Sequence, residues 1–446
     1  MRNETKQAFW IAIYAVLVLA PLAIFIPGLG PERRTIWREL SVGLGFVGLT
    51  MMGIQFIPTT RLPFLAEVFP PDDLYRWHHR FSIVAFFLTL AHPLVLFIQN
   101  PYTLQLLNVW TASWRARAGV ASVAVLVALI VTSVWRVAIR MSYETWRLLH
   151  DVFAVTVIGF GLYHILNVNY YTSVPFQRGL IIGLVALWGF LIFYLRVVKP
   201  WTLLQRPYDL VELIEERAKT WTVVLAPVGH EGLTFRAGQV AWLSMGHSPF
   251  RIEEHPFSFA SSAEHPERLG FAIKELGDFT STIGDLPLGT KVYVDGPYGT
   301  FDLNASPDTD FIFIAGGIGA APIMSMLRTM ADRGDQRSIQ FFYGNPNWEA
   351  VTFREELEQL EQRLNLTVVH VLEQPPEGWE GESGYVTKDM LQRRLCEDFR
   401  KCTFFLCGPL PMLEAMESAL MELGVARGHI RSEIRERIHT ELYKMA

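Results

Sequence analysis

The sequence predicts a multidomain membrane protein: an all-α six-helix transmembrane bundle, then an antiparallel β-barrel, then an α/β doubly wound domain. Three observations predict it. Apolar runs of membrane-spanning length fill the first 200 residues, short β-type runs broken by Gly and Pro follow, and strand and helix patterns alternate from about residue 306. The expected domains are therefore 1–200, 201–305 and 306–446. Charge divides at the first of these boundaries. Residues 1–200 carry 16 Lys/Arg against 8 Asp/Glu, and residues 201–446 carry 23 against 36. The net −5 thus hides a basic, charge-poor part and an acidic one. That split excludes a uniform soluble fold, a disordered chain and a nucleic-acid partner held by bulk positive charge. The three cysteines, Cys396, Cys402 and Cys407, are too few for a disulfide framework and form no CxxC zinc pair.

Six runs are expected to span a bilayer: 9–27, 38–57, 78–98, 118–139, 150–168 and 179–198. Pro21 inside the first is tolerable as a kink. That run is long and lacks a small-residue cleavage site, so it reads as a retained span. Six spans put both termini on one side. The short segments there hold eleven Lys/Arg, against six (Arg33, Arg34, Arg38, Arg115, Arg117 and Arg178) opposite. Both termini and the soluble part are therefore expected on the cytoplasmic side.

Ionisable residues inside a membrane are costly and usually functional. His78 and His92 lie fourteen residues apart, and so do His150 and His164. Fourteen helical steps return to within about 40° of the same face, displaced by about 21 Å. The third and fifth spans run parallel, so His78 lies level with His150 and His92 level with His164. Any one of these could be a buried histidine satisfied by its neighbours; four in matched register favour two bis-histidine pairs, one near each membrane face. Such pairs suit two stacked b-type haems, with imidazoles as axial ligands. His79 competes with His78, but thirteen steps would leave it about 140° from His92, so His78 is preferred. Arg80 and Arg147 can pair with haem propionates or serve as ordinary positive-inside residues.

In the barrel, His255-Pro256-Phe257-Ser258 precedes the β-type run Phe259-Ala260-Ser261-Ser262. A flavin ring needs an apolar wall and a hydroxyl near N5, which Phe257 and Ser258 can supply; a turn before a strand is the plainer reading. Ala272-Ile273-Lys274, then Gly277 and Thr280, combine a backbone run, a positive charge and a helix start suited to a pyrophosphate. Asp295-Gly296-Pro297-Tyr298-Gly299 reads as a tight turn closing the barrel. The strand FIFI runs into Ala315-Gly316-Gly317-Ile318-Gly319-Ala320-Ala321-Pro322. Glycines between a strand and a helix let backbone approach phosphate, although GGxGxxP is not the standard dinucleotide spacing. A second strand ends in Cys407-Gly408-Pro409, where a thiol faces the ligand crevice of a parallel sheet or is simply a small buried residue.

In this order HPFS, AIK…G..T, GPYG, GGIGAAP and CGP resemble the ferredoxin–NADP reductase-type module. Joined to six spans with two histidine pairs, residues 70–435 resemble the transmembrane ferric reductase and NADPH oxidase superfamily. The resemblance implies that His78 and His150 ligate an inner haem, and His92 and His164 an outer one. It places His255, Pro256, Phe257 and Ser258 at FAD, with Ala272, Ile273, Lys274, Gly277 and Thr280 at its pyrophosphate. It places Gly316, Gly317, Gly319 and Pro322 at NAD(P)H, with Cys407, Gly408 and Pro409 near the nicotinamide.

The implied activity is transmembrane electron transfer from NAD(P)H to FAD, to two b-type haems, to a ferric iron chelate or dioxygen on the far face. No acid/base residue is required. A quinone- or partner-coupled subunit feeding an extracytoplasmic protein is the alternative. The sequence departs from the family in several places. His255 stands where many flavin motifs have Arg, residues 42–57 hold no arginine, and Leu96 lies one turn past His92. Tyr343-Gly344-Asn345 is followed by no base until Arg354, which leaves a 2′-phosphate without a nearby partner and the choice of NADH or NADPH open. No flavin-stacking aromatic ends the chain, which closes on SEIRERIHTELYKMA.

Overall fold

A computed structural model describes residues 3–26, 31–66, 68–251, 253–303 and 309–433; the C-terminal segment after 433 lies outside the described residues. The chain divides into two compact units, with the break between Lys199 and Pro200.

The first unit is helical. Its long helices are α1 (Asn3–Leu19), α2 (Ile36–Ile54), α3 (Pro71–Gln99), α4 (Trp114–Val134), α5 (Tyr143–Val168) and α6 (Pro175–Phe193). With their continuations, six helices among the described residues are long and apolar enough to cross a membrane, and each overlaps one expected span. Proline and capping residues set their ends. At Pro21, α1 has tightened into a 3₁₀ segment, Ala20–Phe25, because proline cannot donate the next α-helical bond. Pro175 opens α6, where its missing N–H costs nothing. Ser142 caps α5 by accepting from Thr145 N at 3.3 Å, and left-handed Asn169 (φ 55°) closes it. Pro93 lies inside α3, directly after His92. Small residues bring the helices together: a Cβ on Gly53 would fall 2.1 Å from the Trp188 ring.

The second unit begins with an antiparallel sheet in the order β4-β3-β6-β1-β2-β5. Its strands are β1 (Tyr208–Glu216), β2 (Thr220–Pro227), β3 (Val240–Met245), β4 (His255–Ser258), β5 (Leu269–Lys274) and β6 (Lys291–Tyr298). A bridge between Phe259 and Phe271 links the β4 edge to the β5 edge, so the sheet curls toward closure.

A parallel sheet follows in the order β10-β9-β8-β7-β11-β12. It comprises β7 (Phe311–Gly316), β8 (Ile339–Asn345), β9 (Leu366–Leu372), β10 (Glu382–Ser383), β11 (Thr403–Cys407) and β12 (Ile430–Glu433). Four helices alternate with its strands: α7 (Ala320–Asp332), α8 (Arg354–Arg363), α9 (Lys388–Arg394) and α10 (Leu410–Glu422). Fully buried Phe311, Phe313, Phe341 and Phe405 fill the sheet core, as expected where both faces are covered. The two lobes of this unit interlock through α7. Arg328 donates to Ala260 O at 2.6 Å, Ser325 donates to Ser261 O at 2.7 Å, and Ala263 N donates to Thr329 Oγ1 at 2.9 Å.

Two motifs take a different local form from the one read in the sequence. HPFS is not a turn before a strand but is itself β4, paired with β3 from His255↔Leu243 to Ser258↔Val240. The GPYG segment is not a tight turn, because β6 runs through Tyr298 and the chain turns only at Gly299 (φ 101°). Both stretches carry enough buried apolar surface to be held in the sheet; Tyr298, for example, is 4% exposed.

Candidate functional site

The four membrane histidines form two pairs. The His78 and His150 ring centroids lie 6.1 Å apart, and those of His92 and His164 lie 6.4 Å apart. His79, beside His78, is exposed. Neighbouring helices hold the other edge of three of the four rings. His92 Nδ1 lies 2.9 Å from Ser41 O and 3.0 Å from Ser41 Oγ, and His164 Nδ1 lies 2.8 Å from Arg115 O. A carbonyl only accepts, so Nδ1 carries the proton and Nε2 keeps its lone pair. Ser133 donates its own proton to Leu129 O at 2.7 Å, so it accepts from His150 Nδ1 at 3.2 Å. His78 Nδ1 is buried and makes no hydrogen bond among the described residues.

These spacings fit haem. An iron bound by both Nε2 atoms at about 2 Å needs ring centroids roughly 6 Å apart. Among the described residues no three His, Cys, Asp or Glu side chains gather, so neither pair makes a bare-ion site. Two axial imidazoles suffice where a macrocycle supplies the other four ligands. Glycine makes room beside each outer ring. A Cβ on Gly45 would stand 3.0 Å from His92 Cγ, and one on Gly119 would stand 3.0 Å from His164 Nδ1. The sequence reading missed these glycines and Asp151, the lone acid of residues 145–168, which pairs with Arg196. Its position next to His150 was the available signal.

In the barrel, His255 stacks on Phe279 at 3.7 Å, with Phe257 6.4 Å from the same ring. Ser258 is 1% exposed, and its hydroxyl makes no hydrogen bond among the described residues. A buried hydroxyl in that state favours a ligand that bonds it. An aromatic wall and an orphaned hydroxyl on one short strand fit a flavin ring. Ala272 and Ile273 are buried in β5, and Lys274 ends the strand partly exposed. Thr280 does not start an α-helix; it opens a six-residue 3₁₀ segment. Its hydroxyl accepts from Leu276 N and Gly277 N at 2.8 and 2.9 Å, so the Gly277 amide is engaged, although no atom lies within 4 Å of a Cβ built there.

The strand order reverses beside β7, so the β7 and β11 ends bound the crevice where ligands bind in such sheets. Their glycines divide into two kinds. Cβ atoms on Gly316, Gly319 and Gly408 would strike Met412 Sδ at 2.9 Å, Cys407 O at 2.2 Å and Met412 Cε at 2.7 Å. Packing of the two turns requires Gly319, which faces main-chain atoms, whatever binds; at Gly316 and Gly408 the nearest atoms belong to the flexible Met412 side chain. Gly317 differs: it has φ 52° and no atom within 4 Å of a Cβ, so its backbone is open to approach. Pro322 is buried in the first turn of α7, and Pro409 packs against Gly316. The Cys407 thiol is fully buried in the sheet core rather than turned to solvent.

Comparison with known proteins agrees with this division. Residues 44–161 match the family "Ferric reductase like transmembrane component", residues 198–302 match "FAD-binding domain", and residues 313–418 match "Oxidoreductase NAD-binding domain". The reductase component of propane 2-monooxygenase from Rhodococcus jostii is 33% identical over 46% of this chain and 57% of that one. NADH-cytochrome b5 reductase 1 from Aspergillus oryzae is 30% identical over 36% of this chain and 58% of that one. The chain thus spans less than two thirds of these relatives. A solved structure, a cytochrome P450 reductase from Amycolatopsis, is 24% identical with a TM-score of 0.46, covering 51% of this chain and 69% of that one. Fold and matched domains together define a membrane-bound oxidoreductase of the FAD- and NAD-binding class. In their order along the chain, the three matches make it a fusion of the ferric reductase/NADPH oxidase type.

Proposed function

We propose that this protein carries electrons across a membrane, from NAD(P)H on the cytoplasmic side to a ferric iron chelate or dioxygen on the other. The observation that carries this reading is the pair of imidazole pairs, 6.1 and 6.4 Å between ring centroids, on α3 and α5. When bound, FAD and two b-type haems supply the two-electron and one-electron chemistry. The chain's residues hold and orient. His78 and His150 would hold one haem and His92 and His164 the other, with the Ser41 and Arg115 carbonyls fixing the His92 and His164 tautomers. Phe257 and Ser258 wall the flavin site, and Gly317 opens the nucleotide turn. Haems held by two imidazoles each would supply one-electron transfer without binding the acceptor at iron.

Reduced-minus-oxidised spectra of membranes containing the protein test this directly. The expected result is b-type bands appearing on addition of NAD(P)H, with acceptor-dependent nucleotide oxidation. Flavin reduction without any b-type band would overturn the haem relay. Iron reduction without superoxide would assign the chelate as acceptor, and the reverse would assign dioxygen.

The glycine beside His164 gives a second check. Gly119→Leu should displace the ring and lower haem content from two per chain toward one, read by pyridine haemochrome assay. Elution on gel filtration should be unchanged, since small-to-large changes of this kind cost about 1–3 kcal/mol.

A further inference from the structure

The loops beyond β8 and β9 differ in charge from what a 2′-phosphorylated nucleotide needs. In a doubly wound sheet the end of the second strand meets the adenosine ribose. There an acidic side chain accepts the 2′-hydroxyl of NADH, or a base holds the 2′-phosphate of NADPH. Here that strand is β8, and its Gly344 lies abreast of Gly316 in the parallel register. The loop after β8 (346–353) and the segment after β9 (373–387, with β10 inside it) are tied together at this end. Glu373 N donates to Asn345 O at 3.0 Å, Gln374 N donates to Pro346 O at 2.7 Å, and Trp348 packs on Trp379 at 5.2 Å. Between them these loops carry Glu349, Glu373, Glu377, Glu380 and Glu382 and no Lys or Arg.

Bases from flanking elements are engaged elsewhere. Arg354 lies over the Trp348 ring at 4.6 Å and donates to Glu355 at 3.1 Å, with its side chain 18% exposed. Arg393 and Arg394 both pair with Glu382, Lys388 pairs with Glu422, and Arg363 pairs with Asp332. His370, packed edge-on against Trp348 at 5.1 Å, adds no charge at neutral pH, because burial and then the Arg354 charge push its pKa down to about 4.

We infer that the nucleotide site is selective for NADH, with the acidic rim after β8 and β9 excluding the 2′-phosphate. This inference rests on the reading of the chain as a nicotinamide nucleotide oxidoreductase. A phosphate brought to this rim meets Glu349, Glu373, Glu377 and Glu380, none of them in an ion pair among the described residues, while Glu382 is held by Arg393 and Arg394 and the ribose hydroxyl of NADH meets acceptors.

The test uses the full chain, FAD-loaded, in nanodiscs, and follows anaerobic flavin bleaching with each nucleotide. Reduction by NADH with kcat/KM about 100-fold above that for NADPH is expected. ADP should compete with NADH at lower concentration than 2′,5′-ADP, a binding readout independent of turnover. Glu349→Arg should raise the NADPH-to-NADH ratio of kcat/KM at least about 10-fold. Equal or better use of NADPH by the wild-type chain would overturn the inference. An unchanged ratio in Glu349→Arg, with the variant's FAD content intact, would overturn the placement of the ribose at this rim. If neither nucleotide bleached the flavin, the oxidoreductase reading itself would fall.

Discussion

Replacing His92 with Ala is expected to remove one of two haems and to cut reduction of a far-side acceptor by at least about 100-fold, while nucleotide-driven flavin reduction survives. His92 shares no helical turn with His78, and the two rings are about 21 Å apart along the helix. Loss of the outer pair therefore should leave the inner pair, centroids 6.1 Å apart, structurally complete. Haem stoichiometry and the spectrum of the remaining centre check this together. His79→Ala, at an exposed position, should change neither. Full acceptor reduction by His92→Ala would place the electron route elsewhere.

Gly319→Val is expected to produce the other large effect, on stability rather than on electron flow. A Cβ there would stand 2.2 Å from Cys407 O and 3.0 Å from Gly408 N, both backbone atoms that cannot rotate aside. The β7 and β11 turns would have to separate, at a cost of about 3 kcal/mol or more. Thermal release of FAD, followed by fluorescence, should shift down by several degrees. Gly317→Ala makes the contrast. It adds a methyl in open space at φ 52°, which strains the backbone by about 1 kcal/mol. Its expected signature is a rise in KM for the nucleotide of at least about 10-fold, with FAD release nearly unchanged. Equal behaviour of the two variants would contradict the division of these glycines into packing and binding positions.

Much of the architecture was legible because it rests on periodicity. Apolar runs of spanning length and the FIFIAGG and TFFLCGP strands carry their own signal, since burial selects their composition. The histidine register was legible for the same reason: fourteen residues is close to a whole number of turns. Local form was less so. HPFS looks like a turn because Pro256 interrupts it, yet pairing with β3 holds it in the sheet. Thr280 marks a helix start in the sequence, but its hydroxyl is taken by the Leu276 and Gly277 amides, and only a 3₁₀ segment follows. Cys407 was ambiguous between crevice and core, because alternation along β11 is lost where both faces are apolar; its thiol lies in the core. The partners of the histidine Nδ1 atoms were illegible in principle. Two of them are main-chain carbonyls, which every residue type possesses.

That use of main-chain oxygen bears on how such a chain can diverge. A ligand oriented by a carboxylate is lost when the carboxylate mutates. One oriented by a carbonyl alone, as His164 is by that of Arg115, tolerates any residue that keeps the helix in place. Selection at position 115 then acts on backbone path and on the neighbouring Gly119, whereas at position 41 it also acts on the Ser41 hydroxyl, which lies 3.0 Å from His92 Nδ1 and donates to His92 O. Sequence can thus drift across α4 and still present the same His164 edge inward, while α2 stays tied to a hydroxyl at position 41.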